Sequence, residues 1–92
     1  MPTVFIPTML LSLTDGVKQL RVNGLRVRDI IEELEQLYPG IKDRLIDEDS
    51  LKSNVAVAVD GEVATLGLME RISEDSEVHF VPAIGGGVDE ID

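Results

Sequence analysis

Apolar and polar positions change their spacing several times along the chain, and each change marks an element. Residues Thr3 to Leu13 are dense in β-branched and long apolar types, which predicts a first strand. Pro7 offers no backbone donor, so that strand must be an edge or carry a bulge there. Thr14-Asp15-Gly16 supplies a turn, and Val17 to Val22 alternates closely enough to be a hairpin partner ending at Asn23-Gly24. From Val27 the period lengthens. Val27, Ile30, Ile31, Leu34 and Leu37 fall at i, i+3, i+4, i+7 and i+10, one stripe of a helix. Arg28, Asp29, Glu32, Glu33, Glu35 and Gln36 take its other side, a solvated acidic face. No capping side chain marks the helix start, since Arg26 has no acceptor for the first amides. Tyr38-Pro39-Gly40 ends it, because Pro39 disfavours α at Tyr38 and Gly40 tolerates a positive φ.

Beyond the helix, Ile41 to Ile46 predicts a short helical turn burying Ile41 and Leu45, followed by a solvated loop at Asp47-Glu48-Asp49-Ser50. Asn54 to Val59 puts Val55, Val57 and Val59 on one face of a strand and Ala56 and Ala58 on the other. Asp60-Gly61 is a hairpin signal returning through Glu62 to Leu66, and Glu77 to Pro82 is the last strand. The order β-β-α-β-β-β implies an α+β protein: one mixed sheet wrapped on one main helix, the β-grasp (ubiquitin-like) arrangement. Its five-residue stripe supplies roughly 1.5–3 kcal/mol per buried side chain, enough to define one core. The expected division is a β-grasp domain over residues 1–82 and a flexible C-terminal tail over 83–92.

Composition narrows the chemistry. Ninety-two residues with 43% apolar content suit one domain. Cysteine is absent, which excludes disulfides, thiolate zinc sites and thiol nucleophiles. A formal charge of -10 opposes phosphate backbones and anionic lipid, so neither nucleic acid nor a membrane is an expected partner. No apolar run approaches the ~20 residues of a membrane helix, and the start has no basic leader, so a cytoplasmic protein is expected. His79 is the only histidine and sits between Val78 and Phe80, where it reads as a strand-face residue. Asp47, Glu48 and Asp49 lack the glycine and distal Glu of a calcium loop, and no nucleophile lies beside a base. No metal site or resident cofactor is expected.

The tail is different. Ala83-Ile84-Gly85-Gly86-Gly87-Val88-Asp89-Glu90-Ile91-Asp92 breaks all periodicity and carries three consecutive glycines. Only glycine lets a backbone pass a catalytic centre without a Cβ in the way. From Pro82 to Gly87 the chain spans up to about 17 Å, enough to enter a partner's active site while the domain stays outside. Segment Val81-Pro82-Ala83-Ile84-Gly85-Gly86-Gly87 on such a core resembles the ubiquitin-like sulfur carriers of the MoaD/ThiS family. Ile6-Pro7-Thr8, Tyr38-Pro39-Gly40-Ile41 with Arg44-Leu45, and the ending Pro82-Ala83-Ile84 with its glycines look most like the branch that carries sulfur for cysteine biosynthesis.

The resemblance implies a carrier and not an enzyme. In that family a terminal glycine carboxylate is adenylated by a ubiquitin-activating-type adenylyltransferase, which binds the ATP and Mg²⁺, and a sulfurtransferase step converts it to a thiocarboxylate. The matching residues are Gly86 and Gly87, preceded by Gly85. Here Val88 to Asp92 follow Gly87, so the reading requires cleavage between Gly87 and Val88, for which the resemblance implies a zinc metalloprotease of the JAMM type. A cysteine-synthase-like enzyme is the implied acceptor, with homocysteine, thiamine, molybdopterin or a secondary metabolite as other routes. Two further readings remain open: a ubiquitin-like modifier joined to lysines through Gly87, and a plain interaction module with an inert tail. On the sheet, Phe5, Ala56, Ala58 and Val81 are expected on the face away from the helix, as a docking patch beside the tail.

Overall fold

The computed structural model describes residues 1–83. Its strands are β1 (Thr3–Phe5), β2 (Gln19–Arg21), β3 (Ile46–Asp47), β4 (Ser50–Leu51), β5 (Val55–Val59), β6 (Glu62–Val63) and β7 (Glu77–Pro82), and its α-helices are α1 (Val27–Leu37) and α2 (Ile41–Leu45). Five strands form a mixed sheet in the order β2-β1-β7-β5-β6. β1 runs parallel to β7 and antiparallel to β2, while β5 is antiparallel to both β7 and β6. One face of that sheet is covered by α1, which gives the β-grasp arrangement expected from the alternation and the stripe.

The core follows the apolar register. Val27, Ile30, Ile31 and Leu34 of α1 are fully buried, against Val4, Val55, Val57, Val78 and Phe80 from the sheet. Leu37 is a correction, being 55% exposed. It is the last residue of α1, at the margin of the stripe, and the stripe's direction is continued instead by Ile41 and Leu45, both fully buried in α2. Gly40 makes the connection at φ +104. Glu35, expected in a solvated face, turns back instead: its carboxylate accepts the Lys42 N–H at 2.9 Å and the Gly40 N–H at 3.2 Å. Those donors, Lys42 first, hold its pKa below the ordinary carboxylate value.

Five other sequence expectations change. The first strand does not reach Leu13: it stops at Phe5, and Thr8–Leu10 form a 3₁₀ turn after Pro7. Pro7 carries φ -68, which suits entry into such a turn, and its carbonyl accepts the Leu10 N–H at 2.9 Å. Leu10 thereby reaches the core at 2% exposure. The strand expected over Val17 to Val22 shortens to Gln19–Arg21. The loop at residues 47–50 is a two-stranded hairpin, Ile46 opposite Leu51 and Asp47 opposite Ser50, with Glu48 at φ +60 in its turn. The return strand toward Leu66 ends at Val63, after Asp60 and Gly61 turn the chain at φ +53 and +87. The helix start, expected to lack a capping side chain, has half a cap: the Asp29 carboxylate accepts the Arg26 N–H at 3.1 Å.

Candidate functional site

Register decides what the outer face of the sheet presents. Phe5 pairs with His79, His79 with Ala58, and Ala58 with Val63, so these four side chains form one row across β1, β7, β5 and β6. Ala56 pairs with Val81 one step nearer the end of β7. Phe5, Ala56, Ala58 and Val81 therefore share a single face, as the alternation predicts, because Val4, Val57, Val78 and Phe80 take the other. Val63 is 69% exposed and Val81 38%.

Sequence reasoning passed over His79 as a member of this face. Its imidazole lies flat on Phe5, ring centroids 4.1 Å apart and planes 3° from parallel, with Nε2 at 3.7 Å from a Glu77 carboxylate oxygen. The signal was available: His79 stands two residues before Val81 on one strand, and period two puts both on one side. A groove of about 520 Å³ continues the patch, lined by Phe5, Pro7, Met9, His79, Val81 and Pro82 among others. It is built where the shortened β1 gives way to the 3₁₀ turn, so the misjudged end of β1 and the missed part of the site have one cause.

β7 delivers the chain to this groove. The Ala83 N–H donates to the Asn54 carbonyl at 2.8 Å, so the ladder between β5 and β7 extends one residue past the expected end of the domain, to the first residue assigned to the tail. Gly85, Gly86, Gly87 and Val88, the residues on which adenylation and cleavage were placed, lie outside the described residues. Among the described residues no group of three or more His, Cys, Asp or Glu is placed to hold a metal ion, and no helix is long and apolar enough to cross a membrane.

A mixed sheet in this strand order, with one main helix across one side and an apolar groove on the other where β7 ends, defines a ubiquitin-like β-grasp protein. More narrowly, the chain belongs to the ThiS family, whose pattern matches residues 10–87. Membership places it among small ubiquitin-like carriers and not among enzymes. It is 36% identical over 90 residues to the sulfur carrier protein CysO of Mycobacterium tuberculosis, an alignment covering 92% of this chain and 97% of that protein. Two solved structures agree: CysO in the Amycolatopsis orientalis BexX/CysO complex (34% identity, TM-score 0.87, 95% of this chain and 100% of that one) and Mycobacterium tuberculosis CysO (34%, 0.82, 90% and 99%). SAMP1 from Haloferax volcanii, at 23% identity and TM-score 0.75 over 94% of this chain and 98% of that one, shares the fold.

Proposed function

We propose that the chain is a sulfur-carrier protein made as a precursor and activated at Gly87 once Val88 to Asp92 are removed. The observation that carries this reading is the extent of the family match, which stops at residue 87 and leaves the five following residues outside it. The relatives named as sulfur carriers support the same role. A carboxylate resists nucleophilic attack, so the Gly87 carboxylate must first be made electrophilic. Attack of its oxygen on the α-phosphorus of ATP gives an acyl-adenylate and pyrophosphate. A donor persulfide then displaces AMP to give an acyl disulfide, and a thiol of the donor enzyme attacks its outer sulfur, releasing the thiocarboxylate as a disulfide forms on that enzyme; free sulfide would displace AMP to give the thiocarboxylate directly. ATP and Mg²⁺ belong to the activating adenylyltransferase, and the persulfide or sulfide to a sulfurtransferase. The carrier contributes an accessible carboxyl and a surface to grip. That the chain has no cysteine is consistent with a sulfur borne on the C-terminus.

Cleavage is assigned to a JAMM-type metalloprotease, and the sulfur to a cysteine-synthase-like or related acceptor enzyme making cysteine or homocysteine. The outer face at Phe5, Ala56, Ala58 and Val81, with His79 at its centre, is the surface these partners grip. The experiment is the intact mass of the protein purified from its native cells. A chain ending at Gly87, with a fraction carrying sulfur in place of one oxygen, is the expected result. A chain ending at Asp92 under every growth condition overturns the proposal.

A further inference from the structure

Three places in the chain put a glycine after an acid or its amide: Asp15-Gly16, Asn23-Gly24 and Asp60-Gly61. In such a pair the glycine peptide nitrogen can attack the side-chain carbonyl of the preceding residue, because no Cβ shields it. The attack needs a free side chain, an uncommitted N–H and access for water. Hydrogen bonding removes one of these at two of the three places. The Gly16 N–H donates to the Leu11 carbonyl at 2.8 Å, so the nitrogen that follows Asp15 is committed. The Asp60 carboxylate accepts the Ser76 hydroxyl and the Glu77 N–H, each at 2.9 Å. An amide carbonyl also accepts a nucleophile more readily than a carboxylate does.

Asn23-Gly24 keeps all three. Asn23 is exposed, and among the described residues neither its side chain nor the Gly24 N–H makes a hydrogen bond. The pair lines an open groove of about 370 Å³ with Met1, Pro2, Leu25 and Glu74, which admits water. The chain's other asparagine is the contrast. Asn54 is followed by β-branched Val55, whose N–H donates to the Lys52 carbonyl at 3.0 Å.

We propose that Asn23 is a site of spontaneous modification, at which the folded protein converts its own asparagine to isoaspartate. Water takes the Gly24 amide proton as the nitrogen bonds to Asn23 Cγ. The Cγ–Nδ2 bond breaks, ammonia leaves with a proton from solvent, and a five-membered succinimide remains. One water then opens the ring. Opening at the main-chain carbonyl routes the backbone through Cβ and Cγ and frees an α-carboxylate, whereas opening at Cγ gives aspartate. In sum, asparagine and water give isoaspartate or aspartate and ammonia, with no change of oxidation state. The two products differ in the fold. Aspartate changes only charge. Isoaspartate lengthens by one atom the link between β2 and α1, where Gly24 lies so near the helix that a Cβ would stand 2.8 Å from Ile30 Cδ1. Ile30 is fully buried, so the added atom forces Gly24 away from α1. The inference makes no use of the carrier reading, and either can fail without the other.

The test is to age the full chain in neutral buffer, folded and in guanidinium chloride. Each asparagine is followed by peptide mass mapping and by labelling with an isoaspartyl carboxyl methyltransferase. Expected is exchange of ammonia for water at Asn23, mostly as isoaspartate, at a rate within about threefold of that in denaturant, since no hydrogen bond must first open. Asn54 should stay unmodified in the folded chain, and folded Asn23→Gln should take no label. The isoaspartate fraction should melt about 4 °C or more below the parent, the shift of a small packing loss in a domain of this size, while Asn23→Asp melts with the parent. Conversion at Asn23 slowed about tenfold or more by folding would overturn the proposal. So would equal conversion at Asn54 in the folded chain, or an isoaspartate fraction that melts with the parent.

Discussion

Gly24 has a task that its position conceals. It follows β2 and reads in the sequence as a turn residue, yet its backbone lies against α1. A Cβ built there would stand 2.8 Å from Ile30 Cδ1 and 3.1 Å from the Ile30 backbone nitrogen. Ile30 is fully buried, so neither the side-chain tip nor the helix backbone has room to retreat. Gly24→Ala is expected to lower stability by about 1–3 kcal/mol, the range of overpacked core positions. Urea denaturation would show it as a lower midpoint at unchanged slope, and a midpoint equal to the parent's would refute the close-approach argument. His79 teaches the converse. Its neighbours in sequence, Val78 and Phe80, are buried core residues, and only the cross-strand register reveals Phe5 and Ala58 as the residues it meets.

At the scale of elements, α2 is too short to hold itself together by its own hydrogen bonds. Its five residues are fixed by burial of Ile41 and Leu45 and by the Glu35 carboxylate on the amides of Gly40 and Lys42. Lys42 also pairs through its ammonium with Glu32, which ties α2 back to α1. Because the pKa of Glu35 is lowered on folding, its contribution is present above the unfolded-state value and is lost as pH falls through the folded one. Glu35→Gln should melt lower than the parent at neutral pH, and the gap should close under acid titration below the ordinary carboxylate range. A gap that is constant with pH would mean that shape and not charge holds the turn. Elements whose apolar spacing matches a regular period were legible in the sequence: α1, β5, β7 and the turn at Asp60-Gly61. The passage from Pro7 to Gly16 was not, because the same apolar residues that favour a strand also suit a buried turn, and Pro7 permits both. The hairpin of β3 and β4 was hidden for another reason. Two residue pairs are too few to impose alternation, and its acidic turn has the composition of any exposed loop.

At the scale of the whole molecule, one sheet separates two jobs, a packed face under α1 and an apolar face left to solvent. Four of the exposed-face residues were legible from alternation alone, whereas the groove beside Pro7 and Met9 depends on where β1 stops and so required the structure. If the face is what an activating enzyme grips, charge placed there should block activation without unfolding the chain. Val81→Asp, at a position 38% exposed beside Pro82, is expected to keep the parent's melting temperature and circular dichroism while adenylate formation at limiting carrier falls about tenfold or more, the mark of one interface anchor lost. Unchanged adenylation would place the grip elsewhere. A mechanical consequence follows from the neighbours of β7. It lies between β1, which runs parallel to it, and β5, which runs antiparallel, with backbone hydrogen bonds directed across the strands to both sides. Traction on the chain beyond Ala83, directed along β7, loads these two ladders in shear, many rungs sharing the force at once, where a strand peeled from an edge would lose its rungs one after another. On the proposed carrier reading, an enzyme drawing the glycine segment into a tunnel would pull on the strand of the sheet clamped from both sides, and the domain would stay folded as a stop at the tunnel's mouth.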